Sequence, residues 1–257
     1  MNSRFALLAR RLAVAGLLLL AGMPAAHAQT YGNLGKSYTP GKAAVGFAYS
    51  QTKRELDFKA TAHTSAGSAT ASDTIDMDPT RQMLTLEYGV NSTTAVGAQL
   101  GKLTFDGDDA PEGTEFGFQF RHQLKDDPSG YSTGVMVGLR NASLSDPFES
   151  GPFQQIDFGF GFGKSFSPNA VGYVDVIYSK INGSLTGSGK AKRQLADDLT
   201  AILGTPVTVS SLKGDLHESN AVILAVGTEI QSGSGTITLE AHAGADSGVA
   251  VGFQIGL

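Results

Sequence analysis

The stretch Ile156-Asp157-Phe158-Gly159-Phe160-Gly161-Phe162-Gly163 decides how this chain folds. Large apolar side chains hold every even position, and aspartate or glycine holds every odd one. Successive side chains on a strand project to opposite faces, so this segment has one greasy face and one bare or charged face. Neighbouring stretches repeat the pattern. Phe116, Phe118 and Phe120 alternate with Glu115, Gly117, Gln119 and Arg121. Ile237, Leu239, Ala241 and Ala243 alternate with Thr238, Glu240, His242 and Gly244. The chain closes on Val249, Val251, Phe253, Ile255 and Leu257, again at every second position.

Such runs predict about ten strands: 42–55, 81–90, 94–105, 113–124, 131–142, 154–166, 170–182, 217–231, 235–244 and 248–257. Most are near the roughly 9–11 residues that a tilted strand needs to cross a bilayer. Short links at Asn91–Thr93, Lys125–Gly130, Ser167–Asn169 and Ser232–Ser234 carry the Gly, Pro, Asn and Ser of turns. Longer ones fall near 56–80, 106–112, 143–153 and 183–216, and long and short take turns until the brief Ala245–Ser247. Short turns at one end and long loops at the other are the pattern of an outer-membrane barrel. An even strand number puts both ends of the barrel on the periplasmic side.

Composition narrows the field. The 257 residues include no Cys, which excludes a disulfide framework, a thiolate metal site and a lipid anchor on an N-terminal Cys. The 33 glycines follow no collagen period, and 41% apolar content is too high for a disordered chain. Arg4, Arg10 and Arg11 precede an apolar run, Leu12–Met23, and small residues at Ala26-His27-Ala28. That order is a secretory signal peptide, and twelve helical residues rise only about 18 Å, too little for a membrane anchor. Removing 1–28 takes three arginines and no acids, moving the formal charge from −5 to −8, which argues against nucleic-acid binding. The longest later apolar stretch, about Ala221–Gly227, is too short for a membrane helix.

A soluble β-sandwich would also alternate, because one face of each sheet is buried and the other is wet. It would carry bulky Lys and Glu on the wet face. Here the charges keep company with Gly, Ala, Ser and Thr, as expected where space is short inside a narrow barrel. The expected fold is therefore all-β: a closed antiparallel up-and-down transmembrane barrel of about ten strands, with a long loop carrying a short helix. The expected organisation is a signal peptide at 1–28, a periplasmic N-terminal segment at 29–41 and the barrel at 42–257.

Over the mature chain the sequence resembles small Gram-negative outer-membrane β-barrel proteins of porin-like type. The most specific feature is Gly248–Leu257, which looks like the C-terminal signal read by the barrel-assembly machinery, although that signal usually ends in Phe or Trp. The resemblance implies residence in the cell outer membrane and contact with its lipid and lipopolysaccharide.

With the apolar face turned to lipid, parity places Glu87, Glu115, Arg121, Arg140, Asp157, Asp175, Glu229, Glu240 and His242 in the lumen. Six carboxylates then face two guanidiniums. Arg121 and Arg140 are expected to bridge carboxylates, since an enclosed charge needs a partner. The cluster is either the cation-favouring lining of a narrow porin-like channel for small ions or solutes, or a polar core that plugs the bore. In the second case the protein works through its outer loops as a structural or adhesive barrel. Gly159, Gly161 and Gly163, with Gly134 and Gly138, would leave a groove beside that cluster.

The link 183–216 carries Leu195, Leu199, Ile202 and Leu203 at helical spacing, with Gly204 as a stop. That helix would fold into the mouth or lie on the rim, and Lys190, Lys192 and Arg193 before it make a basic patch. Asp106, Asp108, Asp109 and Glu112 crowd another loop, without the spacing of an EF-hand. No cofactor or metal is expected. One short match suggests an enzyme: His217-Glu218-Ser219-Asn220-Ala221 looks like the His-x-Ser-Asn segment of lipid A deacylases, with Glu229 at the same parity. Those enzymes place the segment near the end of a smaller barrel, so a non-enzymatic reading leads.

Overall fold

The computed structural model describes residues 30–257, apart from 66, 78, 106–111, 145–147 and 219–220. The signal segment 1–28, Asp106, Asp108, Asp109 and Ser219 lie outside the described residues. In chain order the elements are β1 (Ala43–Thr64), β2 (Gly67–Met77), β3 (Pro79–Gly89), β4 (Thr94–Phe105), β5 (Glu112–Asp126) and β6 (Tyr131–Leu144). Then come β7 (Phe148–Ser167), β8 (Ala170–Gly187), α1 (Gly189–Leu203), β9 (Val209–Glu218), β10 (Val222–Ser232), β11 (Gly235–Gly244) and β12 (Asp246–Gly256).

Ten strands form a closed antiparallel wall in the order β1-β3-β4-β5-β6-β7-β8-β10-β11-β12, and β12 returns to β1. Closure runs in unbroken register from Ala44↔Gly256 to Arg54↔Asp246. Closing the sheet removes its unpaired edges, the one arrangement of strands that hydrocarbon tolerates. Both ends of the barrel sit together, with the Leu257 amide donating to the Ala43 carbonyl at 2.8 Å.

Two strands were not legible in the sequence. β1 runs on to Thr64, where its distal half pairs with β2 on one side and β9 on the other. β9 also pairs with the distal end of β8. It therefore takes, at the long-loop end, the place that β10, β11 and β12 occupy lower down. The stretch near 56–80, expected as one of the longer links, carries this β1–β2 hairpin instead. β10 begins at Val222 rather than 217, because residues 209–218 belong to β9.

The helix spans Gly189–Leu203. The Ser188 hydroxyl accepts from the Ala191 amide at its start, and Gly204 (φ 66°) ends it in a left-handed cap. It lies across the long-loop end against β9 and β8.

The two faces of the wall differ as the alternation requires. Leu84, Phe118 and Phe158 point outward, 65%, 60% and 52% exposed. Comparable residues face outward on strands all round the wall, including Leu100, Val137, Val176, Leu224, Leu239 and Val249. Soluble monomers rarely expose continuous apolar patches beyond a few hundred Å².

Candidate functional site: a barrel interior filled in three layers

All nine residues that parity assigned to the lumen are buried and turned inward. They are joined by Arg54, Arg81, Lys36, Glu218 and Asp246, which the reading of the sequence passed over. Arg54 ends the inward row Ser50-Thr52-Arg54 of β1, and Arg81 shares a face with Met83 and Glu87, so both were available to the same parity argument.

The middle layer is an ion-pair network across the bore. Arg54 donates to Glu218 (Nη2–Oε2 2.6 Å) and to the Ser179 hydroxyl (3.0 Å), and its Nη1 lies 3.2 Å from Asp246. The Ser179 hydroxyl takes a 2.7 Å bond from Gln155, which also donates to Asp157 at 3.0 Å. Asp157 is gripped by Arg140, whose Nη1 stands 3.6 Å from Glu115. Glu115 accepts from Arg81 at 3.0 Å, and Arg81 reaches the Thr52 hydroxyl. Every side chain named is nearly or fully shut off from solvent. Enclosed charges are tolerable only when paired and hydrogen-bonded in this way.

Above this layer, toward the long loops, Leu56, Leu103, Ala142, Phe153, Ile181, Leu185 and Leu216 pack into an apolar cluster with Phe58 against it. Burial of such side chains contributes about 1.5–3 kcal/mol each, so this layer anchors the distal wall.

Below the network the space is filled by the chain itself. Residues 29–41 were expected as a periplasmic N-terminal segment; Tyr31–Gly35 is turned into the bore, with Tyr31, Asn33 and Leu34 buried, while Thr39–Gly41 is exposed. Luminal carboxylates draw it in: Glu240 accepts the Tyr31 and Gly32 amides, each at 2.9 Å, and Glu229 accepts the Asn33 amide at 2.9 Å. Arg121 donates to the Tyr31 carbonyl, Gln123 to the Gly35 carbonyl (2.8 Å), and Lys36 pairs with Glu87 at 2.7 Å. The Tyr173 hydroxyl (2.7 Å) and His242 Nε2 (2.5 Å) hold Glu240 from behind.

The glycine groove is the seat of this plug. A Cβ at Gly159 would stand 2.8 Å from Leu34 Cδ1, one at Gly161 2.8 Å from Leu34 Cβ, and one at Gly163 2.7 Å from Asn33 Oδ1. Gly134 lies directly under the Leu34 carbonyl. Leu34 then packs with Tyr31, Met136, Ile177 and Ile223. Nothing in the local pattern of residues 30–41 advertises this role, because a plug needs no periodicity. The signal was on the wall, in carboxylates without enough cations and a lane without side chains.

Cavities remain at the two ends and beside the plug. One of about 340 Å³ opens at the short-turn end past Lys36, Glu87 and Glu229. One of about 590 Å³ lies under α1 at the long-loop end. A third, about 70 Å³, sits between Tyr31, Arg121 and Glu229, room enough for a water or two. The three layers separate the end cavities.

Among the described residues, the short enzyme-like match does not bring His217 and Glu229 together. His217 was expected inward, but Leu216 and Glu218 take the inner face and His217 is exposed. Glu229 is inward on β10, so the two do not meet. β9 ends at Glu218 and β10, starting at Val222, takes up the alternation with the opposite parity, whereas the count had run straight through. Glu112 forms an exposed pair with Lys102 at 2.6 Å.

No protein-family model matches the chain, and no curated protein does. Among solved structures it is similar to the outer membrane protein OprG from Pseudomonas aeruginosa (12% identity, TM-score 0.42), over 88% of this chain and 99% of that one. It is also similar to Neisserial surface protein A (12%, TM-score 0.31), over 82% and 96% of the two chains. A Rhodopseudomonas blastica porin, in triple-mutant form, follows at 10% and TM-score 0.16, covering 81% and 100%. The fold assignment stands on the hydrogen-bonded closure: a ten-stranded antiparallel barrel with two further strands and one short helix.

Proposed function

We propose that this protein is an integral outer-membrane barrel whose bore is closed, and that it acts at its long-loop end rather than by passing solutes. The membrane placement is supported by the belt of outward Leu, Val and Phe around the wall, which hydrocarbon would cover. A signal peptide at 1–28 and short turns on the side of both barrel ends fit the same orientation, with the long loops outside the cell.

The observation that carries the closed reading is the seating of Leu34 across the glycine lane beneath the Arg54–Arg81–Arg140 network. A narrow cation-preferring channel, the other reading of the luminal acids, requires a water path, and three successive layers stand in its way. Withdrawal of the plug would bare Glu229 and Glu240, yet the ion-pair and apolar layers would still cross the bore.

Planar-bilayer recording of the processed, refolded chain tests the proposal. No steady conductance above the lipid background is expected. Reproducible single-channel steps from the unaltered chain, with reversal potentials shifting in a salt gradient, would overturn it.

A further inference from the structure

The cavity of about 590 Å³ at the long-loop end belongs to none of the three filled layers. One wall is a flat patch of methyl groups, where Ala60 stands opposite Ala71 and Ala62 opposite Ala69 across the β1–β2 hairpin. Facing it is a ridge of Leu195, Leu199 and Leu203, spaced one turn apart on α1. Eight residues of helix rise about 12 Å, which sets the length of the slot. Phe58 and Leu185 form its floor and join it to the apolar layer below. A fifteen-residue amphipathic helix in water is held mainly by burying its apolar face, yet no residue of α1 is fully buried. Its leucines look across a gap.

The ends of the slot differ. Lys192 lies one turn before Leu195 on the face that α1 turns inward, Lys190 and Arg193 flank it, and the first turn holds no acid. Lys192 is half-buried beyond the lining residues, Lys190 and Arg193 beside it are exposed, and Lys213 is the one charged residue among the lining. An apolar slot continued along α1 by a half-buried cation matches one kind of ligand. We propose that this cavity binds a single long-chain fatty acid, its hydrocarbon tail between the alanine wall and the leucine ridge and its carboxylate toward Lys192 and Arg193. The volume falls within the roughly 300–1,000 Å³ of small-molecule sites, and a mostly apolar lining with a single cation, Lys213, is their usual chemistry. An acyl chain fits a half-open slot between a helix and a strand wall, with α1 as its roof. This inference rests on the reading of a barrel that acts at its long-loop end, but conductance tests that reading and ligand binding tests this one.

The experiment uses the refolded full barrel in lipid nanodiscs and the fluorescent fatty acid cis-parinaric acid, with empty nanodiscs giving the partition background. Saturable binding above background, displaced by oleate, is expected. Ala62→Phe and Ala71→Phe, which fill the slot from the wall, should each weaken it at least tenfold while the heat-dependent gel shift of the folded barrel is retained. Leu199→Ser, which leaves the strands untouched, should do the same. Lys192→Glu with Arg193→Glu should weaken the acid about tenfold and leave the methyl ester of the probe unaffected. Absence of saturable binding, or equal binding in all three slot variants, overturns the proposal. Equal loss of acid and ester in the charge variant overturns the orientation of the carboxylate.

Discussion

Gly134→Ala should expel the plug without harming the wall. Gly134 has ordinary strand geometry, so an added methyl group costs nothing in backbone strain. The obstacle is the plug: the new Cβ would press against the Leu34 carbonyl oxygen, 2.6 Å from Leu34 C and 3.1 Å from Gly35 Cα. These are backbone atoms that no rotamer change can move. The segment must lift, which strains the bonds from Gln123 to the Gly35 carbonyl and from the Asn33 amide to Glu229. Overpacking of this kind costs about 1–3 kcal/mol. At about 1.4 kcal/mol per factor of ten, plug release should become roughly 5- to 150-fold more frequent. The chain has no cysteine, so Asn33→Cys supplies a unique thiol on a buried plug residue. Its rate of reaction with a water-soluble maleimide reads release directly. Gly256→Ala, whose Cβ would meet only the Ser234 carbonyl at 3.7 Å, serves as the control and should change nothing. An unchanged labelling rate in the folded Gly134→Ala barrel would refute the account of the glycine lane.

Arg140→Met leaves Asp157 in the bore without its cation, while Glu115 keeps Arg81, and should destabilise the barrel by about 3–5 kcal/mol, read as a lower denaturant midpoint; Asp157→Asn in the same chain should recover part of the loss. Leu216→Ala opens the fully enclosed distal cluster and should cost about 2–5 kcal/mol by the same measurement. Phe118→Lys places a charge midway along an outward face and should lower stability in bilayers by roughly 2–4 kcal/mol; a neutral effect would argue that lipid does not cover that face. At the short-turn end, hydrogen bonds from the Ser129 hydroxyl and amide, with Lys125 nearby, hold the Asp127 carboxyl down at about 2. A carboxyl whose folded pKa is depressed stabilises the turn above the unfolded value of about 3.9 and loses that contribution as pH falls toward 2. NMR titration of Asp127 should show a midpoint near 2, whereas one at 3.8 or above would contradict the turn geometry.

The wall was readable because each of its ten strands repeats one local rule, and outward-facing Phe158 and inward-facing Asp157 satisfy that rule within two residues. β2 and β9 were not readable for the opposite reason. The Ala, Ser and Thr of β2 carry little contrast between faces, and the partners of both strands lie across the hairpin or on distant strands. His217 shows the limit of counting parity: the count holds along a strand and is lost from one strand to the next, as from β9 to β10. Arg54 and Arg81 stand at the ends of the stretches 42–55 and 81–90, where few neighbours mark which face a residue takes. The plug could not be read from its own residues at all. Tyr31 and Leu34 are ordinary apolar residues whose destination is set by Glu229, Glu240 and four distant glycines.

The residues that fill the lower bore lead directly into β1, and β1 is the strand that meets β12 to complete the cylinder. Sealing the seam and trapping the N-terminal segment are therefore one event, reached only after the last strand has been made. Thr30 is already half-buried, so a bulky addition next to it would crowd the lower bore. A tag for purification belongs instead on the exposed side of the Gly204 bend, where the chain already faces open water.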